Sequence, residues 1–183
     1  QAILHMIFEQ VSSQQVLILD GGAISLFAAS QFELPKALLV FTPHQKEWEK
    51  LSGLDLASQT EGKSRRAVQN FPQGTVIVEK GPHTRIWTSG QDEGYQLDVG
   101  GPYQATGGMG DTLAGMIAGF AGQFPQVSLY ERVVVATYLH SAIAEDLSKE
   151  AYVVLPTTIS QEIPKWMKKW SDQDQVASTE NRK

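Results

Sequence analysis

Apolar positions follow two rhythms along this chain. Val16-Leu17-Ile18-Leu19, closed by Asp20, and Ala37 to Phe41 are short, unbroken apolar runs. Runs this short and rich in strand formers predict strands buried on both faces, as in a parallel sheet. Around them the spacing is helical. Gln1 to about Val11 predicts an amphipathic helix, with Ile3, Met6, Ile7 and Gln10 on neighbouring faces, and Ala23 to Ala29 a short helix after the Gly21-Gly22 turn. Thr42-Pro43-His44-Gln45 has the pattern of a capping box, with Thr42 as N-cap, opening a helix that runs to Leu51 and stops at Gly53. Ser58-Gln59-Thr60-Glu61 repeats that pattern and predicts a helix to about Phe71.

Beyond Pro72 the period shortens. Thr75 to Glu79, Thr84 to Thr88 and Tyr95 to Val99 predict strands, joined by the turn-rich Lys80-Gly81-Pro82-His83 and Ser89 to Gly94, which suit antiparallel hairpins. A glycine-rich loop from Gly100 to Gly110 then feeds an uncharged helix. Val127 to about Ser148 predicts a longer helix. A last helix opens at Pro156, is interrupted at Pro164 and ends near Trp170, leaving Ser171 to Lys183 as a polar tail expected to be disordered. Helix–strand alternation, then a meander, then helices, predicts an α/β layered fold. Ligands in such folds sit beyond the strand C-termini. Asp20, Thr42 and Lys80 fall at strand C-termini, so they and the glycine-rich loop are predicted to converge on one edge.

Composition narrows the function classes. The 183 residues and their 42% hydrophobic content suit one domain with one core. A net charge of −5 argues against a nucleic-acid partner, which calls for a basic face. The chain has no cysteine, which excludes disulfides, thiol catalysis and thiolate metal sites. Its four histidines are scattered, so no metal cage is expected. The longest uncharged run, Thr112 to Tyr130, loses its apolar character near Phe124, too early to span a bilayer.

The strongest chemical signal is Ala105-Thr106-Gly107-Gly108-Met109-Gly110-Asp111-Thr112. Glycines let backbone amides turn inward, and at a helix start those amides and the dipole form an anion site. Asp111 is the one acid there. It is placed to take a proton from a hydroxyl attacking a phosphate, or simply to cap the helix. No Gly-Lys-Ser/Thr follows, so this is not a Walker A loop. Gly115 and Gly119 form a GxxxG expected to let the helix approach the sheet closely. His44 is either a solvated helix-start histidine or a ligand-facing group at a strand end. Lys80 to Thr84 is either a plain hairpin turn or a loop folding over a nucleotide. His140 is expected to be packed or capping, and the Trp166–Trp170 cluster to be a surface-packing helix.

Together these segments resemble the ADP/ATP-dependent NAD(P)H-hydrate dehydratases, a ribokinase-like family. The resemblance covers roughly residues 1 to 165. It runs in order through Leu17 to Ala23, Thr42-Pro43-His44 with Glu47 and Leu51, Lys80-Gly81 with Thr84, Ala105 to Gly115, and Tyr138-Leu139-His140 with Ala144 and Asp146. It implies a three-layer α/β/α fold with a mainly parallel central sheet and an antiparallel hairpin region. Residues 1–170 would form the C-terminal portion of a single ribokinase-like domain. The family's N-terminal part, with its first strands, is expected to be lacking here.

The implied activity is repair of hydrated NADH and NADPH in the cytoplasm. ADP, or ATP, would phosphorylate the ring hydroxyl, with Mg2+ present, and phosphate would then leave. By motif matching, Asp111, Gly108 and Gly110 would be catalytic. His44 and Asp111 would contact the substrate. Lys80, Gly81, Pro82, His83, Thr84, Gly107 and Gly110 would contact the nucleotide. No protein-held metal is implied, and a homo-oligomer is expected. Asp20-Gly21-Gly22-Ala23-Ile24 departs from the family's usual Asp-Ala-Asp-Ala-Leu and receives no catalytic role. The residues leave two other readings open: a ribokinase-like kinase of a small alcohol or vitamin precursor, and a non-catalytic nucleotide-binding fragment.

Overall fold

The computed structural model describes residues 2–30 and 33–180, with side chains through Gln173. Gln1 and residues 181–183, the outer ends of the first predicted helix and of the predicted tail, lie outside the described residues. The elements run α1 (Ala2–Gln10), β1 (Val16–Leu19), α2 (Gly22–Ala29), β2 (Leu38–Phe41), α3 (Gln45–Ser52), α4 (Glu61–Val68), β3 (Val76–Glu79), β4 (Arg85–Thr88), β5 (Tyr95–Gln96), α5 (Met109–Ala121), α6 (Leu129–Leu147) and α7 (Pro156–Glu180).

Among the described residues five strands lie in chain order across one sheet. β1, β2 and β3 are parallel, with Leu19 opposite Phe41 and Phe41 opposite Ile77. β3–β4 and β4–β5 are antiparallel. The sheet is therefore mixed, its parallel half coming first. Strand alternation sorts the side chains into two cores. Leu39, Phe41, Ile77 and Trp87 meet Leu4, Phe8, Ile24, Trp48 and Val68 of α1 to α4 on one face. Val40, Val76, Val78 and Ile86 meet Leu113, Ile117, Leu139, Ile143 and Ile159 of α5 to α7 on the other. These are the three layers of an α/β/α fold. No helix among the described residues is long and apolar enough to cross a membrane.

All four residues of β3 are buried, including Glu79 at its C-terminal end. Its carboxylate accepts from Arg85 Nη2 at 2.7 Å, Trp87 Nε1 at 3.1 Å and Ser64 Oγ at 3.2 Å. Ser64 Oγ in turn accepts from Trp48 Nε1 at 3.0 Å. A buried carboxylate persists only when paired and hydrogen-bonded in this way.

Several boundaries differ from the sequence pattern. His44, not Thr42, caps α3. Its Nδ1 accepts from the amides of Lys46 and Glu47, and Glu47 accepts from the His44 amide. Thr42 is unavailable because its hydroxyl is bonded to Asp20, and the chain stays extended through His44. The predicted Ser58–Glu61 box does not form. Asp55 instead caps a short 3₁₀ turn, Leu56–Ser58, and α4 starts after Thr60 without a side-chain cap bond. Helix α4 ends at Val68, short of Phe71. β5 stops at Gln96 rather than Val99, because past Arg85 its partner strand bends into the 81–84 turn. Pro164 does not interrupt α7. Ile159, Ile163, Trp166, Met167 and Trp170 pack the helix against its layer on both sides of the proline. Beyond Trp170 the helix runs on to Glu180, in a stretch that holds no glycine or proline to stop it.

Candidate active site

Because β1, β2 and β3 are parallel, their C-terminal ends open at one edge. The chain leaves β1 through Asp20, β2 through Thr42-Pro43-His44 and β3 through Lys80. The ladder continues past the strands: Lys80 N donates to Pro43 O at 2.8 Å, and His44 bridges to Lys80. Side chains then tie the three ends together. Asp20 Oδ1 accepts from Thr42 Oγ1 at 2.6 Å and from Lys80 Nζ at 2.8 Å. Burial alone would raise the Asp20 pKa. The hydrogen bonds from Lys80 and Thr42 and the Lys80 charge outweigh it and hold the carboxyl below its ordinary value.

The first turn of α5 lies directly on this pair. Gly108 is its N-cap at φ 85°, a left-handed conformation that glycine takes without strain. Gly110 follows in the first turn. A Cβ there would stand 3.2 Å from Lys80 Nζ and 3.6 Å from Asp20 Oδ2, so its missing side chain permits the close approach. The amides of Gly107, Gly108, Gly110 and Asp111 have no acceptor among the described residues. Free amides, the helix dipole and an ammonium thus face one space, an arrangement suited to a phosphoryl group.

Asp111 is exposed in the same turn, and the N-cap carries no side-chain bond. Gly108 has no side chain to cap with, and no capping box from Asp111 back to the Gly108 amide forms, so capping does not account for Asp111. Among the described residues its carboxylate has no hydrogen-bond or ion-pair partner, and it is open to a ligand. Gly110→Val should push branched carbons into the Lys80–Asp20 pair. The expected result is ADP binding weakened about tenfold or more, read by calorimetry, with a much smaller change in the melting temperature of the ligand-free protein.

The other predicted residues flank this space. His44 is bridged to Lys80 at the same edge, and its Nε2 lies 3.4 Å from Glu47 Oε1. Gly81, Pro82 and His83 form an exposed turn, closed by Thr84 Oγ1 donating to Gly81 O at 3.2 Å. The pairing within the edge has no signal in the sequence. Asp20 is legible there as an acid at a strand C-terminus converging with Thr42 and Lys80, but its bond to Lys80 crosses 60 positions of sequence. Glu47 stands in the sequence only among the residues that carry the family resemblance, since the box pattern there points to Thr42 and Gln45 and not to Glu47 as the partner that fixes His44.

The loop is braced from behind. Thr106 Oγ1 donates to Val154 O at 2.9 Å, Val154 N to Tyr103 O at 3.1 Å, and Gly100 N to Glu145 Oε2 at 3.1 Å. Gln104 Nε2 lies 3.4 Å from His140 Nδ1. His140 is buried, as expected for a packed histidine. Burial pulls its pKa down to about 4, against a weak opposing pull from the Met109 carbonyl. Between the ordinary value and about 4, the unfolded chain therefore binds a proton that the folded chain refuses. Stability should fall as pH drops through that window, by a total of about 3 kcal/mol. Denaturant midpoints at stepped pH check this: in His140→Gln the slope should flatten.

Among the described residues no group of three or more His, Asp or Glu side chains could hold a metal ion. Gly115 and Gly119 do not face the sheet. Leu113, Met116, Ile117 and Phe120 take the buried face of α5, so the glycines fall outside it, along a groove shared with Ile163 and Met167 of α7, where nothing lies within 4 Å of their Cβ positions.

A profile of the NAD(P)H-hydrate dehydratase family matches residues 1–165. The chain is 58% identical over 175 residues to the ADP-dependent (S)-NAD(P)H-hydrate dehydratase of Streptococcus pneumoniae, covering 96% of this chain and 60% of that protein. Among solved structures, a hypothetical protein of Streptococcus mutans superposes with TM-score 0.86 at 47% identity, over 92% of this chain and 60% of the other. The ADP/ATP-dependent NAD(P)H-hydrate dehydratase of Bacillus subtilis, co-crystallised with ATP and Mg2+, gives 0.69 at 28% identity, over 84% and 55%. Arabidopsis thaliana ribokinase, at 17% identity and TM-score 0.52 over 79% and 45%, shows the same ribokinase-like fold. The chain spans about 60% of the length of the Streptococcus pneumoniae relative.

Proposed function

The chain belongs to the NAD(P)H-hydrate dehydratase family, and from that premise we propose that the whole protein converts (6S)-hydrated NADH and NADPH back to NADH and NADPH. ADP is the co-substrate and leaves as AMP and phosphate. The observation that carries the reading is the meeting of free α5 amides, the Lys80 ammonium and the unpartnered Asp111 carboxylate at one edge.

The chemistry follows from leaving groups. Hydroxide departs poorly and phosphate well. Asp111 takes the proton of the ring hydroxyl as its oxygen attacks the terminal phosphorus of ADP, and the bond to the AMP oxygen breaks. The amides of Gly107, Gly108 and Gly110 hold the phosphoryl oxygens, and Lys80 offsets their charge. The ring nitrogen lone pair then expels phosphate, and loss of a proton from the neighbouring carbon restores the dihydronicotinamide. Lys80 to Thr84 covers the nucleotide and His44 meets the substrate.

Mg2+ is expected to arrive on the nucleotide phosphates, as it commonly does at phosphoryl-transfer sites; among the described residues no group of three or more His, Asp or Glu side chains could hold it. When bound it would neutralise phosphate charge. The cytoplasm is the expected site of action and a homo-oligomer the expected assembly. Residues 1–170 are taken as the C-terminal portion of one ribokinase-like domain, with 171–183 as its tail.

The relatives favour neither a small-alcohol kinase nor a non-catalytic module. The test is to incubate the full-length protein with ADP, Mg2+ and (6S)-hydrated NADH and follow the reduced-nicotinamide absorbance. NADH formation matched by AMP and phosphate is expected. Nucleotide binding without turnover, or phosphorylation of a different alcohol, would overturn the proposal.

A further inference from the structure

We infer that Asp20 is a positioning residue of this site: its carboxylate sets where the Lys80 ammonium stands beneath the first turn of α5. The inference rests on the phosphoryl-transfer reading above and adds a residue that the sequence motifs left without a role.

Asp20 Oδ1 takes two donors at once, Thr42 Oγ1 at 2.6 Å and Lys80 Nζ at 2.8 Å. Thr42 is fully buried, so its hydroxyl is a fixed point in the sheet. Asp20 is thereby fixed in turn, and it fixes Lys80. The Asp20 and Lys80 side chains are 18% and 22% exposed, which leaves the pair little screened by water. The packing of Gly110 against Nζ and Oδ2 places this pair directly under the free amides. An anion on those amides meets Nζ only while Lys80 stays upright at the strand ends. Without Asp20 the flexible lysine stem has no partner there among the described residues.

The same geometry gives Asp20 a hazard. A carboxylate beside an anion site repels the anion unless a cation cancels it. Lys80 therefore serves twice, attracting the phosphoryl group and masking Asp20. The two residues should act as one unit, with a coupling whose sign can be foretold.

The test is a double-mutant cycle in the full-length protein with Asp20→Asn, Lys80→Met and both together. ADP binding is read by calorimetry, and kcat and KM in the dehydratase assay. Asp20→Asn keeps the Thr42 bond and the shape of the side chain. It should lower kcat about tenfold with a smaller change in KM, because a strayed lysine is missed most in the transition state. Lys80→Met leaves Asp20 unmasked and should weaken ADP binding more than the double variant does. Partial rescue of ADP affinity in the double variant, at a ligand-free melting temperature no higher than that of Lys80→Met, is an outcome that a purely structural Asp20 would not give. Asp20→Ser repeats the cycle if the Asn variant fails to fold.

Unchanged kcat and KM in Asp20→Asn, or losses that simply add in the double variant, would overturn the inference. A wild-type protein that binds ADP without dehydrating the substrate would overturn the proposed function alone, since the cycle remains readable in the ADP affinities. A wild-type protein that does not bind ADP would overturn both.

Discussion

Asp111→Asn is expected to leave the fold and most of the ADP affinity in place while lowering kcat by about 10²- to 10⁴-fold, the usual worth of a positioned general base. The fold should survive because Asp111 makes no cap bond that the amide would lose, and Gly108 already occupies the cap position. Nucleotide affinity should survive because the free amides and Lys80 are untouched. What disappears is the one acceptor able to take the hydroxyl proton in that turn. Calorimetry with ADP, beside initial rates with saturating substrate, separates the two effects. Near-normal turnover would remove Asp111 from the proton transfer, and a collapse of the melting temperature would make it structural.

The convergence at the strand ends was legible before any coordinates, for a specific reason. Two unbroken apolar runs marked parallel strands, whose C-termini share an edge, so Asp20 and Thr42 were expected as neighbours; Lys80 joined them as the end of a third strand, whose parallel pairing with β2 only the fold supplies. The pairing among them was not legible. Which carboxylate oxygen meets which donor depends on register, and a one-residue slip would turn each side chain to the other face. Caps were the weakest inference. Thr42 and His44 both fit a helix start, and only the tertiary bond from Thr42 to Asp20 decides between them. The Gly115/Gly119 pair failed as an inference because spacing says that two glycines share a face, not which face is buried. Four larger residues, Leu113, Met116, Ile117 and Phe120, settle that. Pro164 failed for a related reason: its local cost is real, but the packing of five large side chains along α7 outweighs one lost hydrogen bond.

Removing the Glu79 side chain is expected to have the largest effect on stability. Glu79→Ala leaves the Arg85 guanidinium, itself only 16% exposed, without its 2.7 Å partner. It also strands Trp87 Nε1, and Ser64 loses the acceptor that lets its hydroxyl serve Trp48 in turn. Breaking a buried pair from one side costs about 3–5 kcal/mol, a large share of a typical domain's stability. Glu79→Leu together with Arg85→Met should recover much of that loss, because the buried charge then disappears from both sides. Urea midpoints of the full-length protein, with the slope checked for constancy, measure both variants. The effect should reach the site as well. Glu79 is the last residue of β3, and Lys80, the next one, hangs from the same strand end by its bond to Pro43. A loosened strand end lets Lys80 drift from Asp20. Glu79→Ala should therefore weaken ADP binding even at temperatures where the protein stays folded, whereas the repacked double variant should bind it more nearly as wild type does. If ADP affinity holds in Glu79→Ala while stability falls, the Lys80 end is anchored by Asp20 and Pro43 alone and the buried network beneath it serves only the fold.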